Sequence, residues 1–328
     1  MNSNDAKEIA ADLAANAALL EMAEELGIST LLDRAAPFTL DEVVAAAGVP
    51  EAGARAFLRA LLAAGLVEQG ADARSFIPCA DLADRRYEAG YLSWALNANR
   101  PYIDHAVEFL SGPEAAAGQY RRDGRRVAIS SRWIGSYGFY PDIVAEIAGR
   151  KPQRVVDLGA GAGRLLIHLL TTLPSSTGLA LDISPAACEE AERSARRAGV
   201  HDRLTVANRS IESLVEDPGP VRGADVVHAG FVMHDVVGDQ EVFDGILRAC
   251  RDSIADGGCL VVTDAVPYAD TPRDRAFSAL FTYLHAGSMQ VLLPPEAEWR
   301  AGFRRAGFTD VSCTPLRMPG SRLFVAAG

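Results

Sequence analysis

Cysteine is sparse, and its spacing carries no motif. Cys79, Cys188, Cys250, Cys259 and Cys313 are scattered over 328 residues, and no C-x-x-C occurs. That excludes a zinc knuckle and a disulfide framework, and leaves reduced thiols of the cytosolic kind. No apolar run reaches the roughly twenty residues that a membrane helix needs. Basic charge is short as well. Acidic residues outnumber Lys and Arg by 43 to 32, for a net charge of −11. A nucleic-acid partner usually demands a basic face, so none is expected. The segment MNSNDAKEIAADLA reads as an acidic amphipathic helix rather than a signal peptide. The expectation is a cytoplasmic protein with no membrane partner. No internal repeat or low-complexity tract is present. Apolar residues are plentiful, at 49%, enough for a large core and two domains.

Residues Val155 to Gly163 read VVDLGAGAG, an apolar strand running into a glycine-rich turn. An apolar helix follows from Arg164 to Leu173. Gly159, Gly161 and Gly163 remove side chains where backbone must approach a ligand, and the helix N-terminus behind them offers N–H groups. About twenty residues after the glycines, the segment LALDIS forms a second strand ending in Asp182. An acid there suits the hydroxyls of a ribose. The pairing indicates a nucleoside cofactor. The spacing is G-x-G-x-G, not the G-x-G-x-x-G of dinucleotide sites, which places an NAD enzyme second.

With Asp157 two residues before the first glycine, the segment resembles the first motif of class I S-adenosylmethionine (SAM)-dependent methyltransferases. The resemblance implies SAM as cofactor. It makes Asp157, Gly159, Gly161 and Asp182 cofactor contacts. It also implies an α/β, Rossmann-like seven-stranded methyltransferase fold with an N-terminal, winged-helix-like helical domain. Many SAM enzymes place Gly-Asp after the third strand, for the adenine. Here Asn208-Arg209 stands instead, Asn208 able to bond adenine and Arg209 to stack on it.

The periodicity divides the chain into three parts. Residues 1–95 form a small helical domain. Leu19, Leu20, Met22, Ala23 and Leu26 recur at helical spacing, and Gly27 ends that helix. Thr39-Leu-Asp-Glu42 is a capping box opening a helix over 40–47. A second helix covers 51–64, and strands near 65–69 and 75–78 follow as a wing. That order alone would suggest DNA binding, yet the second helix carries only Arg55 and Arg59. A dimerisation and lid module, as in small-molecule O-methyltransferases, fits better and implies a homodimer. Residues 96–148 form a helical linker and substrate lid. Residues 149–328 form the SAM-binding domain, with strands near 154–158, 178–182, 203–207, 224–229, 258–264, 310–315 and 321–326. Six run parallel and one antiparallel, with the last two joined by Pro319-Gly320 as a hairpin. Ligands collect at the carboxyl ends of such strands.

His234-Asp235 follows the fourth of these strands. In small-molecule O-methyltransferases a His-Asp pair here supplies the general base, and imidazole suits that work near neutral pH. His285 stands at the end of the amphipathic stretch Arg275–His285. Alone it could simply favour a helix dipole. Beside His234 in one cleft, it makes half of a metal site.

These features resemble a narrower group, the 2-oxo acid β-C-methyltransferases of nonribosomal-peptide pathways, such as phenylpyruvate C-methyltransferase. That group has H-D after the fourth strand, F-x-x-x-H in the inserted helix, then Leu-Pro and an acid with Trp. Here these are His234-Asp235, Phe281 to His285, Leu293-Pro294 and Glu298-Trp299. A Y-x-R-D is matched by Tyr120, Arg122 and Asp123, and a Trp-Leu-Asn-like segment by Trp94 to Asn97. The resemblance implies β-methylation of a 2-oxo acid through a metal-chelated enolate, giving a β-methyl amino acid precursor for secondary metabolism. It makes His234 and His285 the ligands of a divalent or ferric ion, Fe or Zn. Arg122 would hold the substrate carboxylate, and Asp235 would orient water or take part in proton removal. In the group a methionine ligand precedes the first histidine by three residues. Here that position is Phe231, with Met233, Gln290 or water as substitutes. Trp94, Phe231, Phe281, Tyr283 and Met289 are candidates to line an acceptor pocket. The alternative is a metal-independent O-methyltransferase using His234 as base. A SAM-sensing DNA-binding regulator is a third reading, which the acidic charge disfavours.

Overall fold

The computed structural model describes residues 3–34, 36–269, 271 and 274–328. The first two residues of the N-terminal segment therefore lie outside the described residues. The chain divides into two compact units, Met1–Ala106 with Gln119–Tyr137, and Val107–Gly118 with Gly138–Gly328. The helical stretch 96–148 is thus shared between them. The reason is local: helix Gly124–Gly138 packs its Trp133 into the first unit's core. Gly90, on helix Leu82–Leu92, lets it approach closely, since a Cβ there would stand 2.9 Å from Ile134. Arg126 and Glu21 add an ion pair at 2.8 Å.

The first unit opens with helix Ser3–Glu25. Strand β1 is Phe38–Thr39, and Thr39 caps the helix Leu40–Ala47. Its hydroxyl accepts the Glu42 N–H at 3.2 Å while the Glu42 carboxylate accepts the Thr39 N–H at 2.8 Å, a reciprocal capping box. Helix Glu51–Ala63 and strands β2 (Val67–Gln69) and β3 (Ser75–Pro78) complete the order helix, turn, helix, hairpin, with sheet order β1-β3-β2. Gly65 at φ +67 ends the preceding helix, so β2 starts at Val67. Leu20, Ile28, Phe38, Leu40, Leu58 and Leu61 are fully buried in its core.

The second unit is a seven-stranded sheet. Its strands are β4 (Arg154–Leu158), β5 (Thr177–Asp182), β6 (Leu204–Asn208), β7 (Val226–Gly230), β8 (Cys259–Ala265), β9 (Asp310–Pro315) and β10 (Ser321–Ala327). Their order is β6-β5-β4-β7-β8-β10-β9, parallel throughout except at β10, which is antiparallel to both neighbours. Strands buried on both faces read as continuous apolar runs. Val155, Val226 and Val261 pack on one face, and Val156, Val227, Leu260 and Val262 on the other. The polar residues come at the carboxyl ends: Asp157, Asp182, Asn208 and Asp264. That edge is where crossover connections leave room for ligands. Among the described residues no helix is long and apolar enough to cross a membrane.

Candidate active site

Strand β4 gives way to a turn in which Gly159 and Gly161 hold φ +70 and +53, backbone that side-chain-bearing residues avoid. Gly159 has a second reason to be glycine, since a Cβ there would fall 2.9 Å from Val232. Nothing lies within 4 Å of a Cβ built on Gly161, so the turn faces open space. The Asp182 carboxylate staples this loop. Oδ2 accepts the Gly161 N–H and Oδ1 the Ser184 N–H, both at 2.8 Å. Each oxygen keeps a further lone pair for a hydroxyl donor. Ile183, next in sequence, is 71% exposed and offers an apolar surface beside that acid. A carboxylate for a diol, an apolar neighbour for a base and a bare backbone turn fit a nucleoside cofactor such as SAM.

Asn208, which ends β6, and Arg209 after it, the residues expected to meet adenine, also have protein partners. Asn208 donates through Nδ2 to the Asp182 carbonyl at 3.0 Å. Arg209 donates to Asp217 at 2.9 Å and to Ser213 Oγ at 3.2 Å. Two of its guanidinium nitrogens are therefore engaged by its own loop, eight residues or fewer along the chain. Asp157 also has a protein partner. Its Oδ1 lies 2.7 Å from His228 Nδ1, and both side chains are buried. The Tyr140 phenol nearby is pushed up by burial, with the Asp157 carboxylate adding to the shift.

His234 lies in the turn Met233–Asp235 that follows β7. Phe231 sets that turn: it holds φ +52 and donates its N–H to Thr263 O at 2.7 Å. An aromatic residue in left-handed backbone is uncommon and costs on the order of 1 kcal/mol or more. The reversal brings Val232 onto Gly159 and places His234 beside the end of β8. There His234 Nδ1 meets Asp264 Oδ1 at 2.7 Å, and its backbone N–H meets Oδ2 at 3.2 Å. Asp264 is fully buried and also accepts the Ala265 N–H at 2.8 Å. Asp235, whose side chain is exposed, has Oδ1 3.5 Å from His234 Nε2. The orienting carboxylate is therefore Asp264, from a strand thirty residues on, while Asp235 stands at the opposite nitrogen.

His285 sits in a π-helical turn, Leu284–Ser288, that extends helix Arg275–Tyr283. Its Nδ1 is 2.7 Å from Phe281 O, and its ring stacks on Phe281 with centroids 4.0 Å apart. The imidazoles of His234 and His285 stand 5.4 Å apart, centre to centre, at 87°. A carbonyl can only accept, so the His285 proton is on Nδ1. The Asp264 carboxylate selects the same tautomer for His234. In both rings Nε2 is then the basic nitrogen. Met233 is 1% exposed within the apolar core and is no substitute ligand. Gln290 is exposed, with φ +59. Among the described residues no group of three or more His, Cys, Asp or Glu is arranged to hold a metal ion. Trp299 is fully buried in the core, so the Glu298-Trp299 motif anchors its helix, Glu296–Arg305. Arg122 belongs to the first unit, half-buried in the coil before helix Gly124–Gly138.

The chain is similar to known methyltransferases. A methyltransferase-domain family matches residues 156–260. The chain is 29% identical over 225 residues to an indolepyruvate C-methyltransferase of Streptomyces griseus, covering 67% of this chain and 65% of that protein. It therefore spans just under two thirds of that relative's length. It is 28% identical over 326 residues to a tetracenomycin polyketide synthesis 8-O-methyl transferase of Streptomyces glaucescens, covering 90% and 89%. Among solved structures, the SAM-dependent methyltransferase SibL in its apo form aligns over 96% of both chains, with a TM-score of 0.58 and 21% identity. That likeness extends the shared fold across both units.

Proposed function

We propose, for a chain that carries the catalytic domain of the class I SAM-dependent methyltransferases, methylation of the β-carbon of a 2-oxo acid. The observation that carries this reading is the adjacent His234 and His285, each with Nδ1 on a protein acceptor. Metal-ligating histidines ordinarily have their second nitrogen tied in this way. The indolepyruvate C-methyltransferase similar to this chain acts, by its name, on a 2-oxo acid.

The chain's residues divide the work. Bound SAM supplies an electrophilic methyl group. The glycine turn and Asp182 hold the cofactor, and Asp157 flanks it. Nε2 of His234 and Nε2 of His285 would hold a metal ion, which would supply Lewis acidity toward a ketone. The two histidines would make a partial ligand set for it. Iron or zinc suits imidazole donors. Asp264 fixes the tautomer and orientation of His234. Asp235, at the Nε2 side, takes up or steadies a proton. The first unit serves as a winged-helix-like dimerisation module, and the product serves as precursor of a β-methyl amino acid.

A second reading rests on a specific observation. The buried His234–Asp264 pair is also the arrangement of a general base with its orienting carboxylate. On that reading the enzyme is a metal-independent O-methyltransferase, and His285 lines the acceptor site. Elemental analysis, followed by SAM turnover on a panel of 2-oxo acids with and without chelator, separates the two. Near-stoichiometric metal with chelator-sensitive C-methylation supports the first. Metal-free protein with chelator-insensitive methylation of a hydroxyl supports the second.

A further inference from the structure

Asp157, His228, Gly230 and Thr263 stand on one face of three adjacent strands. In the ladder Asp157 is opposite His228, and Gly230 is opposite Thr263. Strand alternation puts residues 228 and 230 on the same face. Three observations mark this spot. The His228 ring is fixed by Nδ1 on Asp157 Oδ1 at 2.7 Å. Two buried polar atoms on this face, His228 Nε2 and Thr263 Oγ1, have no hydrogen-bond partner in the protein. Gly230, two residues on, lets the ring lie against the strand: a Cβ there would stand 2.9 Å from His228 Cε1 and 3.4 Å from Nε2.

Buried polar groups are nearly always hydrogen-bonded. Two orphans on one face of adjacent strands therefore mark a polar spot in an otherwise apolar sheet. With the proton on Nδ1, Nε2 can only accept, while the threonine hydroxyl can both donate and accept. The pair is also asymmetric toward Asp157: Oδ1 is taken by His228, and Oδ2 is left to act as the anionic acceptor.

We infer that His228 is a positioning residue for cofactor binding. The bond from His228 Nδ1 to Asp157 Oδ1 aims Asp157 Oδ2 at the ammonium of the methionine moiety of SAM. This rests on the reading of the glycine turn as a SAM site. An ammonium brings three N–H donors to a carboxylate that has one oxygen already occupied. That bond stops the buried carboxylate from rotating, and Gly230 keeps the imidazole from being pushed off it. His228 itself touches neither the methyl group nor the acceptor.

The test is binding of S-adenosylhomocysteine (SAH) to the purified full chain by calorimetry, which needs no knowledge of the acceptor. His228→Leu is expected to weaken SAH binding roughly tenfold or more, the effect of leaving a buried charged acceptor unpaired. His228→Asn keeps an N–H at the Nδ1 position, and is expected to recover binding to within about threefold of wild type. A merely structural histidine would leave SAH affinity unchanged in both variants, or lower it equally in both. Either result overturns the inference. Should His228→Leu fail to fold, long-range proton–nitrogen spectra of the wild type decide. The expected result is the Nδ1–H tautomer with resonances that move when SAH is added. An Nε2–H tautomer, or resonances unmoved by SAH, overturns it. Wild-type protein that fails to bind SAH takes down the SAM reading itself, a different outcome from unaltered variants.

Discussion

His234 Nδ1 lies 2.7 Å from Asp264 Oδ1, at a carboxylate that is completely buried and also takes the backbone N–H groups of His234 and Ala265. Three donors on one buried carboxylate hold it and the imidazole in one orientation. Asp264→Asn keeps the shape but can present an amide N–H to Nδ1. That favours the other tautomer and removes the lone pair from Nε2. Turnover is expected to fall by roughly 10- to 100-fold, the usual loss when a ligand's orienting partner is removed. SAH affinity should be unchanged. Wild-type turnover in Asp264→Asn would remove His234 from the chemistry in both readings.

His285 discriminates between the readings. As a metal ligand, its replacement by alanine removes one of two protein donors. Metal content and C-methylation should then disappear together, with thermal stability nearly retained at the second unit's core. As a lining residue its loss empties space beside Phe281, and acceptor KM rises by a few fold while turnover survives. Metal analysis of His285→Ala alongside steady-state kinetics reads both. Retained stoichiometric metal in that variant would contradict the ligand assignment.

The sequence makes the scaffold and the cofactor turn plain and leaves half of the chemistry hidden, for physical reasons. The glycines and Asp182 are visible because a turn and a strand end have local signatures. Asp264 is invisible because its partner is thirty residues away, and only the β7–β8 pairing brings them together. His228 hides inside an apolar run, where a histidine reads as strand. Arg209 has a partner the sequence does not announce, Asp217, eight residues on. Met233 looked like a spare ligand until the turn at Phe231 directed it into the core. His285 falls on a π-helical turn, an irregularity often found at functional sites that no helical wheel anticipates.

Asp244 and Arg305 join helices Gln240–Ser253 and Glu296–Arg305 through two bonds, at 3.0 and 2.9 Å. The Arg305 hydrogen bonds hold the Asp244 carboxyl below its ordinary value of 3.8. A carboxyl lowered on folding adds stability that is fully present above its unfolded value and lost as pH falls through the folded one. Asp244→Asn should therefore melt earlier than wild type at pH 7, by the equivalent of about 1 kcal/mol given the half-exposed arginine. The gap should close as pH drops below 3.8. Thermal melts of the pair at neutral and acid pH check it; a gap that is constant with pH would mean that the ion pair contributes nothing.

Gly159 and Asp182 control the cofactor turn from opposite ends, and their variants should fail differently. Gly159→Ala meets two obstacles, φ +70 and a Cβ 2.9 Å from Val232. The strain of left-handed backbone alone costs about 1–2 kcal/mol. Because Val232 leads into His234, the clash also displaces the histidine turn. Stability, SAH affinity and turnover should all fall together. Asp182→Asn instead leaves the backbone alone. The amide keeps one acceptor oxygen but turns an N–H toward a backbone donor, so one of the two loop bonds breaks, and the anionic acceptor for a diol is lost. SAH affinity should drop roughly tenfold or more, as for loss of a charged hydrogen bond, while acceptor KM stays near wild type. Calorimetry with SAH and melts of both variants distinguish the two patterns. Unaltered SAH binding in Asp182→Asn would show that the ribose is held elsewhere.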